Sequence, residues 1–295
     1  MDWLTEFPEL GRRDMRDFRK GIDQGFKDFT RTYGEDIESF FDPLLQFLIW
    51  LEKLLLATPW PLFILVVAVL AWFASRSLKV VVGTGVSLFL IGFLGMWEDT
   101  MSTVSIIVVC TMLCIGLGLP IGILMSRSDR AQAIVTPVLD VMQTIPSFVY
   151  LIPVVMLLGI GKVPGLISVV IYAIPPMIRL TNLGIRLVDK EVLEAADAFG
   201  ASPWQKLVQV QIPLALPNIF AGVNQTIMMS LAMVVIASMI GVTGLGQPVL
   251  KAISNQYLAM GLLNGLAIVA LAIIFDRISQ SYGKRLQTYR GGQGE

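Results

Sequence analysis

Long apolar segments separated by short polar ones occupy the chain from about residue 61 to residue 275. A helix needs about 20 mostly apolar residues to cross a bilayer, and seven segments are candidates, the first of them short. Because backbone groups in lipid must pair internally, the pattern predicts an all-α integral membrane protein. The predicted spans are 61–75, 80–96, 101–125, 132–158, 164–182, 217–240 and 258–275.

Two segments of different character precede the first span. Residues 1–42 form a polar tail with seven basic and eleven acidic side chains, and they lack the order of a signal peptide. Basic residues at helical spacing suggest a nucleic-acid or lipid patch, but the interleaved acids favour a solvated helix. Residues 43–60 are apolar with Glu52 and Lys53 at their centre. This predicts an amphipathic helix at the membrane interface, since charges at the middle of a lone span are costly.

The basic residues in the short loops predict the orientation of the spans. Twelve of them fall on one side, in the loops at 126–131 and 183–216, in the tail at 281–295 and at Arg76, Lys79, Arg179 and Arg277. The opposite loops hold only Lys162 and Lys251 beside the acidic stretch Trp97–Thr100. The first two loops and the tail at 281–295 are therefore predicted to be cytoplasmic. Seven spans then place the N-terminus outside.

Composition narrows the chemistry that the chain can perform. It is 55% hydrophobic, only 15% charged, and contains no histidine; its mean hydropathy is +0.73. Cys110 and Cys114 stand four apart in an apolar run, which indicates packing on one helix face, and we predict no metal site. No phosphate-binding loop or hydrolase motif is present, so we predict a transport subunit, not an enzyme, with no cofactor of its own.

A polar insert, "EVLEAADAFGASPWQKLVQVQIPLALP" (191–217), interrupts the apolar half of the chain. Asp189 is a predicted N-cap and Gly200 a predicted C-cap of a first helix. Ser202 and Pro203 begin a second helix, and Pro213 and Pro217 are expected to close the insert before the next span. Two short helices that meet at a glycine predict a rigid protrusion. It is either a surface that binds a soluble partner or a helical hairpin that binds none.

The insert resembles the EAA signature of ABC importer permeases. Glu194, Ala195 and Ala196 are followed after three residues by Gly200 and after nine more by "VQIP", with Val210 and Ile212 replacing isoleucine and leucine. In that family the segment is the coupling helix, which sits in a groove of the ATPase subunit. The resemblance implies that the loop at 186–217 contacts the ATPase through Glu194, Ala195, Ala196, Gly200, Ala201, Ser202 and Gln205.

A second stretch, "LDVMQTIPSFVYLIPVVMLLGIGKVPG" (139–165), is similar to permeases for glycine betaine, proline betaine and choline. The resemblance implies a MetI-like type I transmembrane domain. Its five-helix core would occupy 98–280, after two extra spans at 61–97 and the interfacial helix. It also implies a homodimer, two ATPase subunits that bind ATP and Mg²⁺, and a periplasmic or lipid-anchored binding protein at the bacterial inner membrane. The expected cargo is a betaine, choline, proline betaine or trimethylamine N-oxide.

Polar residues within two spans are candidates for the translocation pathway or for hydrogen bonds that hold the helices together. Asp140, Gln143 and Thr144 share one helix face next to Pro146, which is expected to kink the span. The further candidates are Asn224, Gln225, Met229 and Met233.

Two other functional classes remain open. One is an ABC permease for another small solute, such as an amino acid, an ion or a sulfonate, against which residues 139–165 argue. The other is an ion-coupled secondary transporter, which predicts inverted repeats and a self-sufficient chain. No repeat is evident, and that class leaves the polar insert without a role.

Overall fold

Every regular element in the described part of the chain is a helix, which confirms the all-α fold class. The structure is a computed structural model that describes residues 9–291, without the side chains of residues 282 and 284–291. The ends of both predicted tails, and the basic side chains at 284, 285 and 290, therefore lie outside the described residues. The α-helices are α1 Arg12–Ala57, α2 Trp60–Ser75, α3 Leu78–Phe93, α4 Trp97–Arg127, α5 Asp129–Thr144, α6 Leu151–Leu158, α7 Lys162–Arg186, α8 Lys190–Ala198, α9 Pro203–Gln205, α10 Ile212–Ala237, α11 Gly246–Asn255 and α12 Leu258–Gly291.

The apolar helices account for the predicted spans. Four are long and apolar enough to cross a membrane: Trp97–Arg127, Lys162–Arg186, Pro203–Ile240 and Leu258–Ser281. Two bent pairs also qualify if each is counted as one span, namely α1 with α2 and α5 with the helical segment Ser147–Leu158. Helix α3 is a shorter apolar helix. The predicted spans at 61–75 and 132–158 fall within the two bent pairs, the one at 80–96 overlaps α3, and the other four lie within the four long helices. Seven spans were predicted, whereas the described residues contain four helices, or up to six units, that meet the length and composition of a span.

The span predicted at 132–158 is broken rather than kinked. Helix α5 ends at Thr144, a 3₁₀ turn covers Ser147–Tyr150, and the two parts meet at 107°. The break follows from Pro146, because the residue before a proline avoids the helical region, and Ile145 is extended, with φ −65° and ψ 129°. The second proline, Pro153, lies in the first turn of α6, where proline is tolerated.

The expectation that Pro213 and Pro217 close the polar insert is wrong. Helix α9 continues through a π-helix at Lys206–Gln211 directly into α10, and both prolines lie within the resulting rod. Proline lacks an N–H group, and its ring clashes with the carbonyl four residues earlier. A π-turn is wider than an α-turn, and this one ends just before Pro213, so the local widening accommodates the ring.

The polar tail and the predicted interfacial segment form one helix, α1, which passes through Pro43 without a break. Glu52, which we expected to lie at the interface, is instead buried against three other parts of the chain. Its carboxylate pairs with Lys162 at the start of α7 and accepts a 2.9 Å hydrogen bond from Ser102 Oγ of α4. Thr243 Oγ1 lies 3.5 Å away. These contacts attach α1 to the core.

Helices α4, α7 and α10 pack closely because small residues stand at their contacts. A Cβ atom added to Gly122 of α4 would lie 2.6 Å from Thr181 Cβ and 2.8 Å from the Ile178 carbonyl oxygen. The sulfurs of Cys110 and Cys114 lie 3.8 Å from backbone carbonyls of α7, and both cysteines are buried. Their packing role on one helix face is thereby confirmed.

We expect Gly122→Ala to lower the thermal stability of the purified chain in detergent, since overpacking a tight contact costs about 1–3 kcal/mol. Gly116→Ala is the matched control on the same helix, because a Cβ atom there meets nothing within 4 Å. Thermal unfolding of both variants measures the difference. Equal melting temperatures would show that α4 and α7 do not approach this closely.

The pairing of Glu52 with Lys162 makes a second prediction about stability. Lys162→Met leaves a buried carboxylate without its cation and should cost about 3 kcal/mol, the low end for a buried pair, because the Lys162 side chain is 26% exposed. The double variant Glu52→Gln/Lys162→Met removes both charges and should recover most of that loss. A double variant less stable than Lys162→Met would contradict the pairing.

Candidate functional site

The polar insert joins α7 to α10 and begins at a well-capped helix. Helix α8 spans Lys190–Ala198, and the Asp189 carboxylate accepts a hydrogen bond from the Glu191 backbone N–H at 2.9 Å. This confirms Asp189 as the N-cap. The acidic cap and Glu191 in the first turn complement the positive end of the helix dipole.

The bend of the insert consists of two helix caps placed back to back. Gly200 adopts φ +76°, its N–H donates to the Asp197 carbonyl, and the Ala201 N–H donates to the Ala196 carbonyl. This Schellman motif needs a left-handed residue, which glycine adopts without strain. Ser202 and Gln205 then form a reciprocal capping box for α9. The predicted caps at Gly200 and Ser202 are both confirmed, and no free linker separates the two helices.

Two groups of ionic contacts fix the insert in place. Lys206 Nζ lies 2.6 Å from Asp197 Oδ1 and 2.7 Å from Oδ2, so it joins the π-helix to α8. At the base of the insert, Arg186 donates to the Met125 carbonyl at 2.9 Å and to Asp129 Oδ1 at 2.8 Å. The insert is therefore tied to the turn between α4 and α5 as well as to itself. Neither the Lys206 contact nor the Arg186 contacts could be predicted from the sequence patterns.

The outer surface of this insert is unusually apolar for a polar segment. Phe199 is 92% exposed and Trp204 is 68% exposed, on either side of the bend at Gly200. Large aromatic side chains exposed to this degree, five positions apart in one short insert, are typical of a surface that a partner covers. Both were missed because the motif includes neither. Of the predicted contact residues, Ala196 and Ala201 are half-buried, and the others are exposed: Glu194, Ala195, Gly200, Ser202 and Gln205.

The predicted pathway residues of α5 lie on its exposed face. Asp140 forms an ion pair with Arg179 of α7, with Oδ1 2.5 Å from NH2. Gln143, Thr144 and Pro146 are exposed, and the Thr144 hydroxyl donates to the Val141 carbonyl. The pairing with Arg179 could not be predicted from the sequence, because it joins two helices. A cation that contacts Asp140 must therefore compete with Arg179.

The predicted pathway residues of α10 are divided between a groove and the core. Asn224 Nδ2 donates to Asp276 Oδ1 of α12 at 2.8 Å, and Gln225 lines the same groove between α10 and α12. Met229 packs against the cluster that contains Leu139 of α5. Met233 is 0% exposed within the main core, so in the single chain it lines no path. No hydrogen bond joins this group to Asp140 in the described part of the chain.

The residues that the structure describes contain no cluster of three or more metal-ligating His, Cys, Asp or Glu side chains. What the insert offers is a rigid, exposed surface with two aromatic residues, placed at the end of two membrane helices. Such a surface can transmit force or bind a partner. It contains no arrangement that activates a nucleophile.

Several known proteins are similar to this chain. It is 51% identical over 233 residues to the glycine betaine/proline betaine transport system permease protein ProW of Escherichia coli (strain K12), covering 79% of this chain and 66% of that protein. It is 45% identical to the glycine betaine/carnitine transport permease protein GbuB of Listeria monocytogenes, covering 79% and 83%. It is 40% identical to the glycine betaine transport system permease protein OpuAB of Bacillus subtilis (strain 168), covering 88% and 92%. The chain thus spans just under two thirds of the E. coli relative.

The fold comparison and the family match agree with the similarity to these permeases. The fold matches a chain from the inward-facing MetNI methionine ABC transporter with a TM-score of 0.58 at 18% identity, covering 65% of this chain and 95% of that chain. This confirms the MetI-like fold. Residues 115–288, more than half of the chain, match the family described as the binding-protein-dependent transport system inner membrane component. The chain therefore belongs to this family of transport permeases.

Proposed function

We propose that this chain is the transmembrane permease subunit of an ATP-driven importer for glycine betaine-like quaternary amines or related osmolytes. Relatives named for glycine betaine, proline betaine and carnitine transport support this cargo class. A relative from Ruegeria pomeroyi, 40% identical over 193 residues, is named for trimethylamine N-oxide transport. These molecules share a small methylated amine, so the class is better supported than any single member.

The observation that carries the proposal is the surface at residues 186–217. A coupling element must be stiff, exposed and fixed to the helices that it moves. The two adjoining caps at Gly200 and Ser202 supply stiffness, and Phe199 and Trp204 supply exposed apolar area. The continuous helical rod from Pro203 to Ile240 is long and apolar enough to cross a membrane. Movement of the insert is thus movement of α10.

The proposed partners are supported by the family description, which names a binding-protein-dependent transport system. Two ATPase subunits, which hold ATP and Mg²⁺, sit on the inserts of two copies of this chain, with Glu194, Ala195, Ala196 and Gln205 in the contact. A binding protein delivers the amine to the opposite face. Closure of the ATPase dimer draws the two inserts together and opens the path outward, and hydrolysis resets the inward-facing state.

The proposed orientation places the insert and the C-terminal end in the cytoplasm and α1 outside. The turn between α4 and α5 shares this side, and its Arg127 and Arg130 agree with the positive-inside rule. Helix α1 meets α2 at 107°, which suits a helix that lies along the outer interface while α2 crosses the membrane.

The pathway is proposed to run along the exposed polar face of α5 and the groove beside α10. Asp140, Gln143 and Thr144 are exposed next to the break at Pro146, and Asn224, Gln225 and Met229 complete the set on α10. Met233 takes part only if α10 repacks, because it is fully buried in the single chain.

Replacing both exposed aromatic residues tests the proposed ATPase contact. Phe199→Ser/Trp204→Ser should reduce substrate-stimulated ATP hydrolysis of the reconstituted transporter about tenfold or more, because truncating buried aromatic anchors of an interface typically costs at least about 2 kcal/mol. Phe40→Ser is the control, since Phe40 is 76% exposed on α1. Co-purification of the ATPase subunit is measured alongside. Unchanged co-purification and stimulation in the double variant would refute the assignment.

Gly200 offers a sharper test of stiffness. Gly200→Val forces a β-branched residue into φ +76° and should uncouple ATP hydrolysis from transport, whereas Gly200→Asn should retain most coupling, since asparagine tolerates this conformation. Gly95→Val is the matched control, because Gly95 has φ +79° and similar open space but lies far along the chain from the insert. An equal loss of coupling in both valine variants would mean that general backbone strain causes it, and not a change in the stiffness of the insert.

A further inference from the structure

A second polar surface lies in a groove between α3 and α12, away from the insert. The groove has a volume of about 290 Å³ and is lined by the side chains or backbone of Lys79, Val80, Gly83, Thr84, Ser87, Ile273, Ile274 and Arg277. Its two cations stand at one end and its hydroxyl groups lie deeper. The start of α3 and the late part of α12 form the charged end.

Both cations in this groove are without a partner among the residues that the structure describes. Lys79 and Arg277 are exposed, and neither forms an ion pair or a hydrogen bond with any residue in the described part of the chain. By contrast, Lys162, Arg179, Arg186 and Lys206 are all paired with carboxylates. The uncompensated charge at this end of the groove therefore favours an anion.

The hydroxyl groups deeper in the groove are also unused. Thr84 is only 3% exposed, yet neither Thr84 nor Ser87 makes a side-chain hydrogen bond within the described residues. The residue is almost fully buried, but its hydroxyl oxygen is not enclosed by protein. The Thr84 hydroxyl therefore opens onto the groove, where a bound ligand can pair with it. The start of α3 adds to this, because its Ser77 cap makes no side-chain hydrogen bond and leaves first-turn N–H groups open to an anion.

The surroundings of the groove identify the kind of anion. Val82, Val86, Val269 and Ile273 flank it and are each about half exposed, as expected of residues that face lipid. The groove has charged groups at one end, hydroxyl groups next and apolar side chains beyond. This order matches that of the phosphate, glycerol ester and acyl chain in a phospholipid. A free inorganic anion has no apolar part that could contact the apolar side chains beside the groove.

We propose that this groove binds an anionic phospholipid, with its phosphate between Lys79 and Arg277 and its glycerol region beside Thr84 and Ser87. The site does not depend on the proposed transport function, because it uses neither the insert nor the pathway residues. Its occupant is a lipid of the leaflet that faces the α4–α5 turn.

The test is lipid binding to the purified full chain in neutral detergent, followed by native mass spectrometry. Phosphatidylglycerol should bind more tightly than phosphatidylcholine with the same acyl chains. The variant Lys79→Gln/Arg277→Gln should weaken phosphatidylglycerol binding by roughly 25-fold, since each cation near the membrane surface contributes about fivefold. Arg127→Gln/Arg130→Gln, which removes the same charge from the same side, should leave that binding unchanged.

Three results would overturn the proposal. The first is equal binding of the two lipids to the unmodified chain, a comparison that does not depend on the folding of any variant. The second is an equal loss in both double variants, which would indicate a diffuse charge effect. The third is displacement of phosphatidylglycerol by millimolar inorganic phosphate, which would assign the groove to a free anion.

Discussion

The close approach of α7 and α10 is the constraint on which the rest of the structure depends. A Cβ atom on Gly184 would lie 2.7 Å from Asn218 Cβ, and one on Gly222 would lie 3.3 Å from Leu180 Cβ. In a membrane, where helices gain little from hydrophobic burial against each other, such small-residue contacts hold a bundle together. The polar insert connects these two helices, so their separation sets its position. If α7 and α10 packed less closely, the position of the insert would be less well defined.

The local structure of the insert could be predicted from sequence because its determinants are local. Asp189, Gly200 and Ser202 each act within a few residues of themselves, and all three caps occur in the structure. The spans could be predicted for a similar reason, since apolar length decides them. The proline prediction failed at Pro213 because the sequence does not reveal a π-helix that makes room for the ring.

Contacts between distant segments could not be predicted. Glu52 was interpreted as an interfacial charge, and only the fold brings it to Lys162. Asp140 was a candidate for the translocation pathway or for a contact between helices, and only the packing of α5 on α7 pairs it with Arg179. In each case the prediction used only the segment that contains the charge, whereas the partner of that charge lies on another helix. The exposure of Phe199 and Trp204 could not be predicted for a different reason: burial is a property of the fold, and the motif includes neither residue.

The attachment of α1 has a consequence for the order in which the protein assembles. Glu52 is synthesised 110 positions before Lys162, so the carboxylate has no cationic partner until the start of α7 has emerged. An unpaired charge is costly to bury, and the N-terminal helix therefore cannot settle on α4 and α7 while they are being inserted. Helix α1 thus docks only after the helices that receive it have been made.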